Sequence, residues 1–396
     1  MMNEMRKTTP DQRTNLWKVY LYRFFSDFWL IAPVLVPFYE SNGLNATQVF
    51  IVQAIYAVSL LIFEIPSGYL SDVIGRKNTL ILGSIALPIG LGIYAFSHGL
   101  RGFATAEIVL GIAGSMRSGT DSALIYDTLI QMGQETEYKK FEGTAEFFHQ
   151  IAHSVSAILG GLFALASLRY PFYINIASGL VLFPLAVSFV EPERKTLEAE
   201  NPLQEIIGVA RRCITDLRIR SLIMYSSLMV GSGLTGVWSY YMYYEKLDVS
   251  IGLFGVLAAV FGVFSAVGAS QAYFIEKKLG RRYTLCLLLV LSLVFLSLGF
   301  IQSIHLIPFI FLNAFLWGVS GPLFMDYVNE LVESDIRATV LSVMQMFGSL
   351  AFIILAPLFG KLVDYFSLST AYIVLGIFFL VFGLQCLFLL RRHRVI

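Results

Sequence analysis

Apolar runs long enough to cross a membrane recur along almost the whole chain of 396 residues. The hydrocarbon core of a bilayer is roughly 30 Å thick, and an α-helix needs roughly 20 residues to cross it. The runs therefore predict twelve membrane-spanning helices, at 17–39, 47–70, 78–97, 103–127, 142–168, 171–190, 220–244, 251–274, 283–302, 305–330, 338–360 and 370–390.

The composition excludes a water-soluble globule. Hydrophobic residues make up 57% of the chain and charged residues 14%, which leaves too little polar surface to cover a soluble protein. The net charge is only +1, so we expect no nucleic acid partner. Cys213, Cys286 and Cys386 lie far apart, so we expect neither a disulfide framework nor a zinc site. The sequence predicts an all-α membrane protein with the lipid bilayer as partner and with no metal or cofactor.

The distribution of lysine and arginine predicts the orientation of the helices. If the twelve spans are correct, 22 of the 28 basic residues fall on one side of the membrane. Four, Arg101, Arg169, Lys246 and Lys361, fall on the other side. By the positive-inside rule, this split places both termini in the cytoplasm of a multi-pass protein of the inner (cytoplasmic) membrane. The 22 residues are Arg6, Lys7, Arg13, Lys18, Arg76, Lys77, Lys139, Lys140, Arg194, Lys195, Arg211, Arg212, Arg218, Arg220, Lys277, Lys278, Arg281, Arg282, Arg337, Arg391, Arg392 and Arg394.

The turn between the second and third spans has an unusual composition. It reads Gly68-Tyr-Leu-Ser-Asp72-Val-Ile-Gly75-Arg76-Lys77 and combines two glycines, one acid and a basic pair. Glycines let two helices approach, and the acid and bases form a charge cluster at the lipid boundary. The string resembles the loop between the second and third helices of major facilitator superfamily transporters, in particular the twelve-helix bacterial type.

The resemblance implies a gate at the cytoplasmic face, formed by that loop and by Asp127. In the family's pattern the acid, here Asp72, holds span two against span eleven. The first basic residue, here Arg76, pairs with an acid at the base of span four, where this chain has Asp127. The alternative is that the basic residues only determine topology.

A weaker copy of the same motif divides the chain into two halves. Lys277-Lys-Leu-Gly280-Arg-Arg282 follows the first loop after 205 residues, and a polar stretch separates six spans from six. Such repeats build a substrate site near the middle of the bilayer between two bundles. We predict a six-helix bundle at 1–190, a cytoplasmic linker at 191–219 and a second six-helix bundle at 220–396, with a central cavity.

Ionisable residues inside the predicted spans indicate a functional or structural role, because burying each one in the membrane costs free energy unless it is paired or hydrated. Arg23 and Asp27 are four residues apart in span one, and Arg117 and Asp121 repeat this spacing in span four. Together with Glu64 of span two and with Glu146 and His153 of span five, we expect them to form one polar network. Within it, we expect five residues to couple transport to protons, namely Arg23, Asp27, Arg117, Asp121 and Glu146.

Asp27 is the preferred proton carrier of this network. A low dielectric favours its neutral form, and a neighbouring arginine favours its charged form. Arg117 also matches an arginine that the superfamily associates with proton transfer, although Asp121 stands where a glycine is common. The alternative is a set of neutralised pairs that only stabilise the bundle.

Aromatic and polar residues suggest where a solute could bind. Span seven places Tyr240 and Tyr241 in an aromatic cluster, which could instead be an interfacial belt. His149 and His153 share a helix face in span five, but no zinc motif accompanies them. The full set of predicted substrate residues is Phe25, Trp29, His149, His153, Tyr240, Tyr241, Asn313, Trp317 and Asp326.

These features predict a monomeric, proton-coupled secondary transporter that moves a small aromatic or amphiphilic organic solute by alternating access. Efflux by proton antiport is preferred, although only the closing Gly160-Gly161 of the span-five export motif is present. Proton-coupled uptake of a nutrient is the alternative, and a transport-inactive sensor with the same fold is another. An enzyme is not expected, because no Ser/His/Asp or HExxH constellation is present, and no GxxxxGK[ST] loop suggests ATP as the energy source.

Overall fold

The computed structural model describes residues 10–192, 202–333 and 336–395. Within these ranges the secondary structure is helical, and no strand is present. Four residues used in the charge count, Arg6, Lys7, Arg194 and Lys195, lie outside the described residues. The helices are α1 (Pro10–Ser26), α2 (Leu35–Ser41), α3 (Ala46–Ile74), α4 (Arg76–Phe96), α5 (Gly99–Arg117), α6 (Thr120–Gln131), α7 (Tyr138–Ala164), α8 (Tyr170–Leu180), α9 (Leu182–Ser188), α10 (Pro202–Thr215), α11 (Leu217–Lys246), α12 (Ile251–Leu279), α13 (Arg281–Leu288), α14 (Val290–Phe300), α15 (Ile307–Leu331), α16 (Arg337–Tyr365) and α17 (Leu368–Arg392).

These helices agree in position with the twelve predicted spans, and the prediction of an all-α membrane protein is confirmed. In the part of the chain that the structure describes, nine helical segments are long and apolar enough to cross a membrane. The other three predicted spans coincide with α1 and α2, with α5 and α6, and with α11.

The first span is broken, which corrects the continuous helix predicted for 17–39. Helix α1 ends at Ser26 and α2 begins at Leu35, with a short 3-10 turn at Ala32–Val34 between them. Asn175 of α8 satisfies the freed backbone, since its Oδ1 accepts from the Ile31 N–H at 3.2 Å and its Nδ2 donates to the Phe28 carbonyl. Non-helical backbone at membrane depth is tolerated where protein groups satisfy it in this way.

The fourth span is also broken, although the sequence predicts an uninterrupted helix at 103–127. Helix α5 ends at Arg117, and α6 begins at Thr120 after a turn in which Gly119 has φ 72°. Glycine adopts this left-handed conformation without steric cost. The break therefore places Arg117 at the end of one helix and Asp121 in the first turn of the next.

The chain forms two compact units. Unit 1 comprises Met1–Phe38, Ile55–Glu198 and Ile251–Val256, and unit 2 comprises Tyr39–Ala54, Ala199–Ser250 and Leu257–Ile396. The core of unit 1 is aliphatic with a few rings, and includes Val19, Leu80 and Leu124. Aromatic rings are prominent in unit 2, where Tyr372 contacts the rings of Tyr243 and Phe359.

Candidate functional site

The buried charges of spans one and four pair across the two helices. The Arg23 Nε lies 2.8 Å from an Asp121 oxygen, and the Arg117 Nη1 lies 2.6 Å from an Asp27 oxygen. In the sequence each arginine precedes an acid of its own span by four residues, but the ion pairs that form join one span to the other. The break between α5 and α6 separates Arg117 from Asp121, and the two pairs connect α1 and the residue that follows it with α5 and α6.

Asp27 receives a second contact from span five. The His149 Nδ1 lies 2.8 Å from the same Asp27 oxygen that contacts Arg117. The Asp27 side chain is only 6% exposed, whereas the side chains of Arg117 and His149 are each 31% exposed. The buried Asp27 carboxylate thus lies between the permanent cation of Arg117 and the titratable ring of His149. The Arg117 and His149 side chains are partly exposed, whereas Asp27 is not.

A further acid, Glu142 of α7, completes the Arg23 pair. Its Oε1 accepts from the Arg23 Nη2 at 2.8 Å and from the Ser122 hydroxyl at 2.9 Å. Its Oε2 is buried and has no hydrogen-bond partner among the described residues. An unsatisfied buried oxygen is costly, so this atom is a site at which a proton or a ligand donor would be stabilised.

These groups line one cavity of about 330 Å³ within unit 1. Two guanidinium groups face four carboxylates in it, so its charge is negative when every acid is ionised and His149 is neutral. Of the predicted proton-coupling residues, all five lie at this cavity. The charged and titratable lining residues are Arg23, Asp27, Arg117, Asp121, Glu142, Glu146 and His149.

The position of Asp27 depends on close packing around the break in span one. The Asp27 N–H still donates to the Arg23 carbonyl at 3.0 Å, so α1 keeps its helical hydrogen bonding up to this residue. Beyond it, a side chain at Gly160 of α7 would collide with the Leu30 carbonyl. A glycine here therefore lets the unwound segment lie directly against α7.

The loop between α3 and α4 forms the ion pair that the family resemblance implies. The Arg76 guanidinium lies 2.7 Å from an Asp72 oxygen and 3.4 Å from an Asp127 oxygen. Gly75 has φ 109°, and a Cβ at this position would lie 2.8 Å from the Glu191 carboxyl carbon. Glycine is required here for both its conformation and the space that it leaves.

Glu191 caps the start of α4. Its two oxygens accept from the backbone N–H groups of Arg76 and Lys77 at 2.8 and 2.7 Å. Carboxylates are favoured at helix N-termini, where the N–H groups are otherwise unpaired. The expectation of a close helix approach at Gly68 is wrong within the described residues, since a Cβ there would meet no atom within 4 Å.

The second copy of the motif forms a similar cluster in unit 2. The Arg281 guanidinium lies 2.8 Å from Glu330 and 3.4 Å from Glu276, and it stacks 4.2 Å from the centre of the Tyr327 ring. Gly280, like Gly75, has a positive φ, here 80°. The two copies thus share a glycine turn followed by an arginine that binds two acids.

The predicted solute residues of unit 2 are mostly buried. Tyr240 and Asn313 are 3% and 1% exposed, and the Asn313 amide donates to the Tyr240 hydroxyl. Tyr241 is 7% exposed, and the Trp317 ring lies 6.3 Å from that of Phe261. They form a packed cluster in unit 2.

The remaining predicted solute residues do not belong to the packed cluster around Tyr240 and Asn313. Asp326 is exposed, and it is thirteen residues from Asn313 on α15, or about 20 Å along the helix. In unit 1, Phe25 packs on the hydrophobic core, and the Trp29 Nε1 donates to the Ser26 carbonyl at 2.9 Å. The His153 side chain is exposed, with its ring 6.4 Å from that of His149.

Three residues of these clusters were missed by the sequence interpretation. Glu142 lies four residues before Glu146, so helical spacing could have identified it. Asn175 and Glu191 act on segments 144 and 115 residues away in the chain. No local pattern signals contacts of this kind, because they depend on how distant helices pack.

Sequence comparison identifies related proteins. The family described as Major Facilitator Superfamily matches residues 24–246 and 221–395. The chain is 23% identical over 261 residues to a quinolone resistance protein, NorA, of Staphylococcus aureus strain MRSA252. That alignment covers 65% of this chain and 64% of the relative's length. A class H tetracycline resistance protein of Pasteurella multocida is 22% identical over 352 residues, with 85% of this chain and 86% of that protein covered.

Solved structures share the fold. The nucleoside transporter NupG superposes with a TM-score of 0.79 at 12% identity and covers 96% of this chain and 99% of its own. A bacterial homologue of the human lysosomal transporter Spinster superposes with a TM-score of 0.77 at 15% identity and covers 98% of both chains. At these identities the likeness concerns the fold alone.

Proposed function

Because the chain belongs to the major facilitator superfamily, and is thus a transporter rather than an enzyme, we propose that it exports a small organic solute by proton antiport. The observation that carries the proposal is the buried Asp27 carboxylate, which is shared by Arg117 and His149 at a cavity between broken helices. Discontinuous helices are typical of substrate and coupling-ion sites in transporters.

The proton step follows from the contacts of Asp27. When the carboxylate is ionised, it neutralises Arg117. When it takes a proton, the guanidinium loses its counter-ion and must find another acid or water, since an unpaired buried charge is costly. Protonation of Asp27 therefore changes the contacts between spans one and four, and this change is the coupling event that we propose.

His149 supplies the route for the proton. Its Nδ1 can donate to the Asp27 oxygen at 2.8 Å, while the rest of the half-exposed ring lines the cavity. An imidazole exchanges protons near neutral pH. A proton from the cavity can thus reach a carboxylate that is itself only 6% exposed.

The charge of the cavity supports the choice of solute. Four carboxylates against two guanidinium groups favour protons and neutral or cationic solutes over anions. Efflux is preferred because the relatives in Staphylococcus aureus and Pasteurella multocida are described as quinolone and tetracycline resistance proteins. We further propose that residues 1–190 and 220–396 rock against each other, with both termini in the cytoplasm.

The experiment uses the purified full-length protein in liposomes loaded with a quinolone or with tetracycline. An acidic exterior should drive the loaded solute outward, because each entering proton is exchanged for solute. The direction does not depend on the orientation of the protein in the vesicle, since the gradient alone sets it.

Each other outcome would reject part of the proposal. Accumulation of solute supplied outside the liposomes, driven by the same acidic exterior, would indicate uptake by symport. Flux that ignores the gradient would reject proton coupling. Binding in a thermal-shift assay with no flux of any bound solute would support a transport-inactive sensor.

A further inference from the structure

Unit 2 contains an apolar groove that is separate from the charged cavity of unit 1. The groove has a volume of about 630 Å³ and lies between α10, α11, α16 and α17. It follows α11 from Arg220 to Leu228 and α17 from Phe378 to Cys386. Eight helical residues rise about 12 Å, so the groove runs along nearly half of a hydrocarbon core that is roughly 30 Å thick.

The walls of the groove are open to the outside of the helix bundle. Ile354 is 60% exposed, Phe382 44% and Met224 41%. In a membrane protein, exposed apolar side chains at this depth face lipid tails. The groove thus has the length and the surface to hold an acyl chain from one leaflet.

One end of the groove is basic. Arg220 lines it, is exposed and makes no ion pair with any described residue. The Ser221 hydroxyl lies 2.8 Å from the His393 Nδ1, which brings the end of α17 beside the start of α11. This end of α17 adds the exposed side chains of Arg391 and Arg392.

Helix α10 closes the same end. It packs against α11 and α16, with Val209 and Cys213 buried four residues apart on one face. Burial raises the pKa of the Cys213 thiol, so the thiol remains neutral and adds to the apolar wall. The one acid close by in sequence, Asp216, caps α11 and lies 3.7 Å from Arg218, which leaves Arg220 available.

We propose that this groove binds one anionic phospholipid. One acyl chain lies between α11, α16 and α17, and the phosphate contacts Arg220, with the arginines at the end of α17 adding to the attraction. An apolar body with a basic end complements a lipid of this charge. If the topology predicted by the basic residues is correct, the lipid belongs to the cytoplasmic leaflet.

The test is native mass spectrometry of the full-length protein, titrated with phosphatidylglycerol or with phosphatidylcholine of identical acyl chains. We expect one phosphatidylglycerol to bind more tightly than phosphatidylcholine. Arg220→Gln should weaken phosphatidylglycerol binding about fivefold, since one arginine near a membrane surface contributes about this much. Phosphatidylcholine binding should fall by less, because its choline cation offsets the charge of its phosphate.

Two further variants separate the headgroup from the groove. Arg282→Gln removes an exposed arginine that does not line the groove, so it is the matched control and should change nothing. Ile354→Trp, at an exposed position, fills the groove and should weaken both lipids. Equal binding of the two lipids, equal loss in the two arginine variants, or unchanged binding in Ile354→Trp would overturn the proposal.

Discussion

The two units bury different kinds of polar group. Unit 1 buries charged residues, namely Arg23, Asp27, Glu107 and Asp121, whereas the buried polar residues of unit 2 are neutral throughout its described part. Unit 2 uses pairs such as Tyr240 with Asn313 instead. The difference indicates that titration can change the buried contacts of unit 1, while a neutral pair such as Tyr240 with Asn313 keeps its hydrogen bond over the physiological pH range.

The largest effect is expected from breaking the buried pair of Arg23. Its side chain and that of Asp121 are 7% and 9% exposed, and removing one partner of such a pair costs about 3–5 kcal/mol. Arg23→Gln should therefore lower the melting temperature in detergent strongly. The variant leaves two carboxylates, those of Asp121 and Glu142, without the cation that pairs with them.

Double variants test directly whether Arg23 of span one pairs with Asp121 of span four. Adding Asp121→Asn to Arg23→Gln should recover part of the lost stability, since it removes one of the two carboxylates that Arg23 pairs with. Adding Asp27→Asn should recover none of it. Recovery with Asp27→Asn and none with Asp121→Asn would indicate that Arg23 pairs with Asp27 of its own span instead.

A smaller effect is expected in unit 2 from Tyr240→Phe. The Asn313 amide, at 1% exposure, loses its acceptor, and an unsatisfied buried donor costs about 1–3 kcal/mol. The change in melting temperature should be the same at acidic and neutral pH. Tyr283→Phe, at 66% exposure, is the control and should have no effect. A loss of melting temperature in Tyr240→Phe that depends on pH would contradict the difference between the two units.

The smallest effect is expected at the cap of α4. Glu191→Ala leaves the N–H groups of Arg76 and Lys77 without their acceptor, which costs about 1 kcal/mol. Glu191→Gln should cost less, because the amide oxygen can still accept one of these bonds. Equal losses in chemical denaturation for the two variants would indicate that the charge of Glu191, rather than hydrogen bonding, stabilises the helix start.

The sequence predicts the membrane fold and the residue types of the site, but not their pairing. The apolar runs were sufficient to predict the spans, and the loop that contains Arg76 was sufficient to identify the family resemblance. The i,i+4 spacing correctly selected Arg23 and Asp27, but each of them binds a partner on span four instead, and the packing of the spans decides this. Pro33 within span one disfavours a continuous helix, because it lacks an N–H and its ring would clash with the carbonyl of Trp29. The contact of Asn175 with the freed backbone, in contrast, comes from a distant helix and has no signal within span one.

The most direct test of the account compares Asp27→Asn with Glu64→Gln, an exposed acid of α3 outside the cavity. Both proteins are reconstituted, and solute flux is measured with and without a proton gradient. We predict that Asp27→Asn still exchanges solute across the membrane but no longer responds to the gradient, while Glu64→Gln responds like the unmodified protein. A full response to the gradient in Asp27→Asn would contradict the account.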